Sequence, residues 1–317
     1  MTTASTTAPP PAALDKKTAR KRRRTSGPAP RTIAAFLLPF FVPFVLFYLV
    51  PIIYAIVQSM TVIKREPGMY GRSYTAFGGF EQYAKAIANP ELWGSIGRVA
   101  LFGIVQVPVM LGVALLIALL LDSAAARWKG FFRVAAFMPY AIPGVIAAIM
   151  WSFLYSPQLS PLVDMAEKIG WHLDFLGPGA VLWSIANIST WLWTGYNMLI
   201  MFSSLQSIPA EIYEAARLDG ASQWDIAVRI KIPMIFPSII MTTIFSIIGT
   251  LQLYGEPAVL QQISTNISST YTPNMLAYSF AVGNNYPQGA AVSVFIAVLT
   301  FVLSYGFMRL TNKRSGL

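Results

Sequence analysis

Residues 33–58 read IAAFLLPFFVPFVLFYLVPIIYAIVQ, and no charged side chain interrupts them. A run of this length and character is long enough to cross the hydrocarbon core of a bilayer, which takes about 20 largely apolar residues. Inside lipid a backbone must satisfy its own polar groups, so such a run is a helix or belongs to a closed barrel. A barrel would show short segments of alternating polarity, and this sequence has none.

The same character returns along the chain. Apolar blocks follow at 99–121, about 134–155, 181–206, 235–256 and 289–308. Composition agrees: the 317 residues are 55% hydrophobic and 11% charged, where soluble domains carry about 25% charged residues. The expected fold is all-α, a polytopic membrane bundle of six transmembrane helices. Prolines 39, 43, 51, 108, 139, 143 and 237 fall inside these blocks, where each interrupts the hydrogen-bond ladder and favours a kink.

Orientation follows from the distribution of Lys and Arg. Eight basic residues and one acid occupy residues 1–31, most of them in the run from Lys16 to Arg24. Much of the net charge of +10 is therefore a property of the tail. A basic run next to a span reads as a topology signal with attraction to anionic lipid rather than as a nucleic-acid site. The segments that would then lie inside carry Arg127 and Lys129, then Arg217, Arg229 and Lys231, then Arg309, Lys313 and Arg314. The outer segment 156–180 has only Lys168, and 259–288 has none. The 59–98 segment holds five basic residues, but also Glu66, Glu81 and Glu91. Both chain ends are expected in the cytoplasm. The expected organisation is a disordered basic tail at 1–32, a first span with an external loop at 33–98, a core of spans two to six at 99–310, and a cytoplasmic tail at 311–317.

Several chemistries are excluded by what is missing. There is no cysteine and one histidine, His172, so thiolate metal sites, disulfides and Ser-His catalysis lack their parts. No G-x-x-x-x-G-K-[ST] occurs, so the chain has no phosphate loop of that kind. No metal or other cofactor is expected on this chain, and it is not expected to be an enzyme.

One polar stretch is left over. Residues 207–233 lie between the fourth and fifth blocks, on the inner side. Ser207-Ile208-Pro209 ends the fourth block. Pro209 to Leu218 reads as a short helix, with Glu211 in its first turn and Ala215 and Ala216 as strong helix formers. Gly220 is a natural stop, and Ser222 an N-cap for a second helix over about 222–231, ended before Pro233. Ile212, Ala215, Ala216 and Ala221 form a small apolar patch among Glu214, Arg217 and Asp219. That pattern suits insertion into a groove on a partner protein.

The run Glu214-Ala215-Ala216, then Asp219-Gly220-Ala221, then Pro233 thirteen residues after Gly220, resembles the docking loop of bacterial ABC-importer permeases. Further likeness runs through Phe77-Gly78-Gly79-Phe80-Glu81-Gln82-Tyr83 and Asn89-Pro90-Glu91-Leu92-Trp93. It continues through Met138-Pro139, Ile142-Pro143, and Leu205-Gln206-Ser207-Ile208-Pro209. Together these cover about 30–310 and are similar to the carbohydrate branch, the maltose and glycerol-3-phosphate type. Three positions depart from the pattern: Ala227 replaces an aromatic, Gly255-Glu256-Pro257 replaces Gly-Gly-Pro, and Gly97-Arg98 replaces Asn-Thr.

The resemblance implies a permease subunit that moves a sugar or related polyol inward across the bacterial plasma (inner) membrane. It implies as partners a second homologous permease, two ABC ATPase subunits that hold ATP and Mg, and an extracytoplasmic solute-binding protein, with lipid around the chain and no nucleic acid. Glu214, Ala215, Ala216, Asp219, Gly220 and Pro233 would couple it to the ATPase. Ser189, Trp193, Ser246, Gly249 and Thr250 would line the solute pathway, and Gln252 joins them as a nearby polar residue. An importer of another small polar solute remains open, as does an ion-coupled secondary transporter. The latter usually needs intramembrane charges, and only Glu256 offers one within the apolar blocks.

Overall fold

The computed structural model describes residues 30–67, 72–123 and 126–315. The basic run Lys16–Arg24 and the last two residues lie outside the described residues. The chain divides after Ile52 into two compact units.

The first unit contains α1 (Pro30–Phe44), a π-helical turn at Val45–Leu49 and the first residues of α2 (Val50–Ser59). Pro51 has no N–H to offer the Phe47 carbonyl. The ladder slips there, and the Val50 N–H reaches the Val45 carbonyl instead. Its apolar side chains are exposed, Phe36 and Phe47 among them, as expected of a helix that is hydrophobic all round and meets lipid.

The second unit begins with a feature that an all-helical reading missed. β1 (Thr61–Arg65) pairs antiparallel with β2 (Ser73–Phe77), Thr61 opposite Phe77 and Arg65 opposite Ser73. The strands are rich in β-branched and aromatic residues, but they fall in a segment read only as a loop. α3 (Glu81–Ala88) and α4 (Pro90–Asp122) follow. Asn89 caps α4 by accepting from the Glu91 N–H at 2.9 Å, with Pro90 at the first helical position. The boundary expected at 98/99 thus falls inside a single helix.

The third apolar block is not one helix. α5 (Lys129–Phe137) runs into a 3₁₀ turn at Met138–Ala141, and α6 (Gly144–Tyr155) leaves at 94°. Pro143 forces Ile142 into extended backbone, and the two prolines together turn the chain. α7 (Pro161–Lys168) is a short capped helix, and α8 (Val181–Leu205) is unbroken.

After the hairpin of α9 (Ala210–Leu218), α10 (Gln223–Asp225), a π turn at Ile226–Lys231 and α11 (Ile232–Met234), α12 (Phe236–Leu251) begins the fifth block. α12 breaks at 252–254 and resumes as α13 (Gly255–Leu260). Pro257 cannot donate to the Leu253 carbonyl, and Asn274 Nδ2 covers the Leu251 carbonyl at 3.1 Å. α14 (Pro273–Val282) and α15 (Tyr286–Ser315) close the chain. α15 stays helical through most of what was expected to be a C-terminal tail.

Four of the described helical stretches are long and apolar enough to cross a membrane: Arg31–Ser59, Pro90–Asp122, Phe236–Leu260 and Tyr286–Thr311. The bent α5–α6 pair makes a fifth when counted as one span. α8 is not among them, since Asn187, Ser189, Thr190, Thr194 and Asn197 lower its apolarity.

The core of the second unit has a spine, α4 against α8. One cluster gathers Phe102, Ile185, Ile188, Leu192 and Leu260, and another gathers Leu111, Ala118, Met198, Met201 and Ile235. Lipid tails are as apolar as leucine, so close packing replaces the hydrophobic drive here. Gly195 shows this most sharply. A β-carbon at that position would lie 2.1 Å from the backbone carbonyl oxygen of Ala136, so only glycine lets α5 approach α8.

Candidate functional site

Two parts of the second unit carry the residues singled out in the sequence. The first is the exposed hairpin 207–233. Pro209 is the N-cap of α9, and Asp219 its C-cap. Gly220 sits at φ +83°, the left-handed region that costs a side-chain-bearing residue roughly 1–2 kcal/mol. That conformation lets Gly220 N–H donate to Arg217 O at 3.0 Å and Ala221 N–H to Ala216 O at 2.9 Å. The helix stop therefore needs glycine, and it places Asp219 at the turn.

Ser222 then caps α10. Its Oγ accepts from the Asp225 N–H at 3.1 Å, and the Asp225 carboxylate accepts in return from the Ser222 N–H at 3.3 Å. Hydrogen bonds from the Ser222 side chain and backbone, with Arg229 adding a smaller attraction, hold the Asp225 carboxyl below its ordinary value. The second helix is shorter than expected: past Asp225 it widens into the π turn.

Glu214, Ala215, Asp219, Gly220 and Pro233 are exposed, and Ala216 is half-buried. The apolar patch is not centred where it was expected. Ile212, Ala216 and Ala221 are half-buried, whereas Leu218 and Trp224 are 90% and 76% exposed. Those two, on either side of the Gly220 stop, are the most exposed large apolar residues of the hairpin. Their signal was available in the sequence: a Leu and a Trp flanking a polar turn.

The second part is a cavity of about 310 Å³, within the size range of small-molecule sites. Ser189, Trp193, Ser246, Gly249, Thr250 and Gln252 all line it, brought together from α8, α12 and the break after α12. Tyr196, Asn197 and Glu256 join them; Thr190 does not, and instead accepts from Gln106 Nε2 at 3.3 Å. Sequence reading missed Phe102, Gln106, Met110 and Phe245, which also form the wall. No local pattern marks them, because they face the cavity only once α4 and α12 pack on α8 and on each other.

The chemistry of the wall is mixed. Trp193, Tyr196 and Tyr140 form one aromatic group, with ring centroids 4.9–6.0 Å apart. Ser246 Oγ already donates to Thr242 O at 2.8 Å, and Asn197 Nδ2 to Trp193 O at 2.9 Å. Ser189 Oγ is buried without a partner, a free hydroxyl in the wall. Among the described residues no cation pairs with Glu256. A wider groove of about 860 Å³, lined by Tyr54, Tyr278 and Tyr286 among others, opens beyond Gln252 and Tyr254, which border both spaces. The smaller space is the better candidate site, because it is the more enclosed of the two and gathers all six residues singled out in the sequence.

Apolar helices around a polar, aromatic-walled cavity, with an exposed hairpin at one end, define a membrane transport component. The chain belongs to the family of binding-protein-dependent transport system inner membrane components, whose model matches residues 111–315. It is 33% identical over 239 residues to the lactose transport system permease protein LacF of Rhizobium radiobacter, covering 72% of this chain and 79% of that one. It is 27% identical over 297 residues to the sn-glycerol-3-phosphate transport system permease protein UgpA of Rhizobium meliloti, covering 90% and 97%. A chain in the crystal structure of a bacterial ABC transporter that imports the acidic polysaccharide alginate shares the fold. Its TM-score is 0.76 at 20% identity, over 89% of this chain and 96% of that one.

Proposed function

We propose that this chain is a membrane-spanning subunit of an ABC importer that carries a sugar or related polyol inward. Six helical passes would cross the bacterial plasma membrane with both chain ends in the cytoplasm, α8 supplying the most polar pass and α5–α6 a bent one. The observation that carries this reading is the convergence of Ser189, Trp193, Ser246, Gly249, Thr250 and Gln252 on one aromatic-walled cavity. A sugar presents hydroxyls and flat apolar faces, and that wall offers a match to both. The relatives' names, for lactose and glycerol-3-phosphate transport, support the solute class.

Energy would enter at the hairpin. Glu214, Ala215, Ala216, Asp219, Gly220 and Pro233 would form or brace the surface that docks on an ATPase subunit, with Leu218 and Trp224 as its apolar anchors. ATP and Mg would bind that partner. A second permease, a second ATPase and an extracytoplasmic solute-binding protein would complete the assembly. The alginate transporter has been crystallised with a pentasaccharide-bound periplasmic protein, which supports the last of these. Co-reconstitution with the partner permease, ATPase and binding protein of the same system, followed by uptake of labelled lactose, glycerol-3-phosphate and maltose, tests the function. Uptake of at least one that requires ATP is the expected result, and ATP-independent uptake would contradict it. Reporter fusions at residues 170 and 317 should report opposite sides of the membrane; the same side for both would contradict the topology.

A further inference from the structure

At the inner end of the bundle four elements meet in one small ionic cluster. Asp122 is the last residue of α4, and Lys231 the last of the π turn that follows the hairpin. Lys231 Nζ lies 2.5 Å from Asp122 Oδ2, and their side chains are only 11% and 7% exposed. The other carboxylate oxygen, Oδ1, accepts from Gln206 Nε2 at 2.6 Å, and Gln206 is the C-cap of α8. The Tyr213 ring of α9 stands over the ammonium, centroid to Nζ 5.1 Å. Its hydroxyl is buried and has no hydrogen-bond partner; burial first, and the Asp122 charge second, hold its proton on more firmly than usual.

We propose that this cluster is the joint through which displacement of the 207–233 hairpin is passed to the helices that line the cavity, with Asp122 and Lys231 as its positioning residues. The inference rests on the importer reading above. Its basis is where the members sit. Three of the helices that line the cavity, α4, α8 and α12, have a member at or just before their inner end. α4 carries Gln106 and Met110 on the wall and Asp122 at its end, 16 residues on from Gln106, about 24 Å along a helix. α8 carries Ser189 and Trp193 on the wall and Gln206 at its end. α12, with Ser246 and Thr250, starts just past Lys231. The fourth member, Tyr213, belongs to the docking helix itself. A shift of the π turn thus pulls on the end of α4 and the start of α12 or breaks the pair, and a shift of α9 carries the Tyr213 ring away from the Lys231 ammonium.

The energetics favour such a role over a merely stabilising one. Withdrawing two charges from water costs about what their attraction returns, so a buried pair adds little stability. What it adds is geometry, because a well-placed pair fixes the relative position of four elements. Tyr213 leaves a buried donor beside Asp122 that a second arrangement of α9 could use. Nor does the pair lie on the docking surface, where Leu218, Trp224 and Glu214 are exposed.

The test uses the complex isolated with its ATPase subunits in nanodiscs. The chain has no native cysteine, so with partner subunits made cysteine-free, spin labels can be placed at Leu101→Cys on α4 and Met241→Cys on α12, both 50% exposed and outside the cavity wall. In the wild type, ATP with vanadate should shift the distance distribution between the labels. Lys231→Met leaves Asp122 buried and unpaired and could perturb folding, so Asp122→Leu with Lys231→Met provides an apolar pair of similar bulk. Both should retain the ATPase subunits, while the shifted population falls roughly ten-fold, within the range of ordinary coupling free energies. The swap Asp122→Lys with Lys231→Asp should recover most of the shift. A full shift in the apolar pair would overturn the proposal, since packing alone would then transmit motion. Loss of the ATPase subunits from every variant would also overturn it, placing the pair in the folding of the docking surface. A wild type that never retains ATPase subunits would refute the importer reading itself, a result distinct from the others.

Discussion

The hairpin 207–233 and the cavity store information in opposite ways. The hairpin's shape is set by neighbours in sequence. Gly220 stops α9, Ser222 and Asp225 cap α10, and these residues lie within a few positions of one another. The cavity is set by residues more than a hundred positions apart, from Phe102 to Glu256, and several of its polar atoms are satisfied by their own helix. Local chemistry makes a surface that can be read as a motif. A wall assembled from several helices can be guessed only residue by residue, and what it binds depends on the few groups left free, such as Ser189.

If the hairpin is the docking element, its substitutions should act as all-or-none effects. Glu214→Lys and Gly220→Trp are expected to abolish co-purification with the ATPase and all uptake while the protein still inserts in the membrane. Gly220→Trp adds backbone strain at φ +83° to bulk on the docking face. Normal uptake by both variants would erase the contrast between the two regions.

The next effect belongs to the frame of the cavity. Gly195→Val places a side chain into the Ala136 backbone. Overpacking of this kind costs typically about 1–3 kcal/mol. Thermal unfolding in detergent should show a lower midpoint, and uptake should fall with it. A lipid-facing change serves as the reference: Ile104→Val, at an exposed position on α4, should leave both unchanged.

A smaller and graded effect is expected inside the cavity. Thr250→Leu removes a hydroxyl worth about 1 kcal/mol to a hydrogen-bonded solute, roughly a five-fold rise in apparent KM. ATP hydrolysis should persist, because the docking surface is untouched. Unchanged KM for every sugar carried would make Thr250 a packing residue. The smallest effect is a pH dependence of the hairpin. The Asp225 carboxyl is held below its ordinary value by Ser222. Its contribution is therefore complete above that ordinary value and is lost as pH falls through the lowered one. Trp224 fluorescence should change in that acidic window, and Asp225→Asn should remove the change.

The legibility of the fold followed the same division. Residues 33–58 and 289–308 were readable because apolarity alone defines a membrane helix. The bend between α5 and α6 was not, although Pro139 and Pro143 were visible, because a proline tells where a ladder breaks and not by what angle. The strand pair at 61–77 was overlooked within a long polar loop. In the hairpin, Ala215 and Ala216 drew attention for helix propensity, while exposure singled out Leu218 and Trp224. The Asp122–Lys231 pair could not be seen at all: the two residues are 109 positions apart, and each looks like an ordinary charge at the end of an apolar block.

Everything proposed for energy input depends on the exposed face of the hairpin seating on an ATPase. The absence of cysteine from this chain allows a single photoreactive label at Leu218→Cys in a complex whose partner subunits have been made cysteine-free. The expected result is a cross-link to the ATPase subunit from Leu218→Cys, and none from Ile169→Cys, at an exposed residue just beyond α7. A label at position 218 that reaches only lipid or solvent, in a complex that hydrolyses ATP, would contradict it.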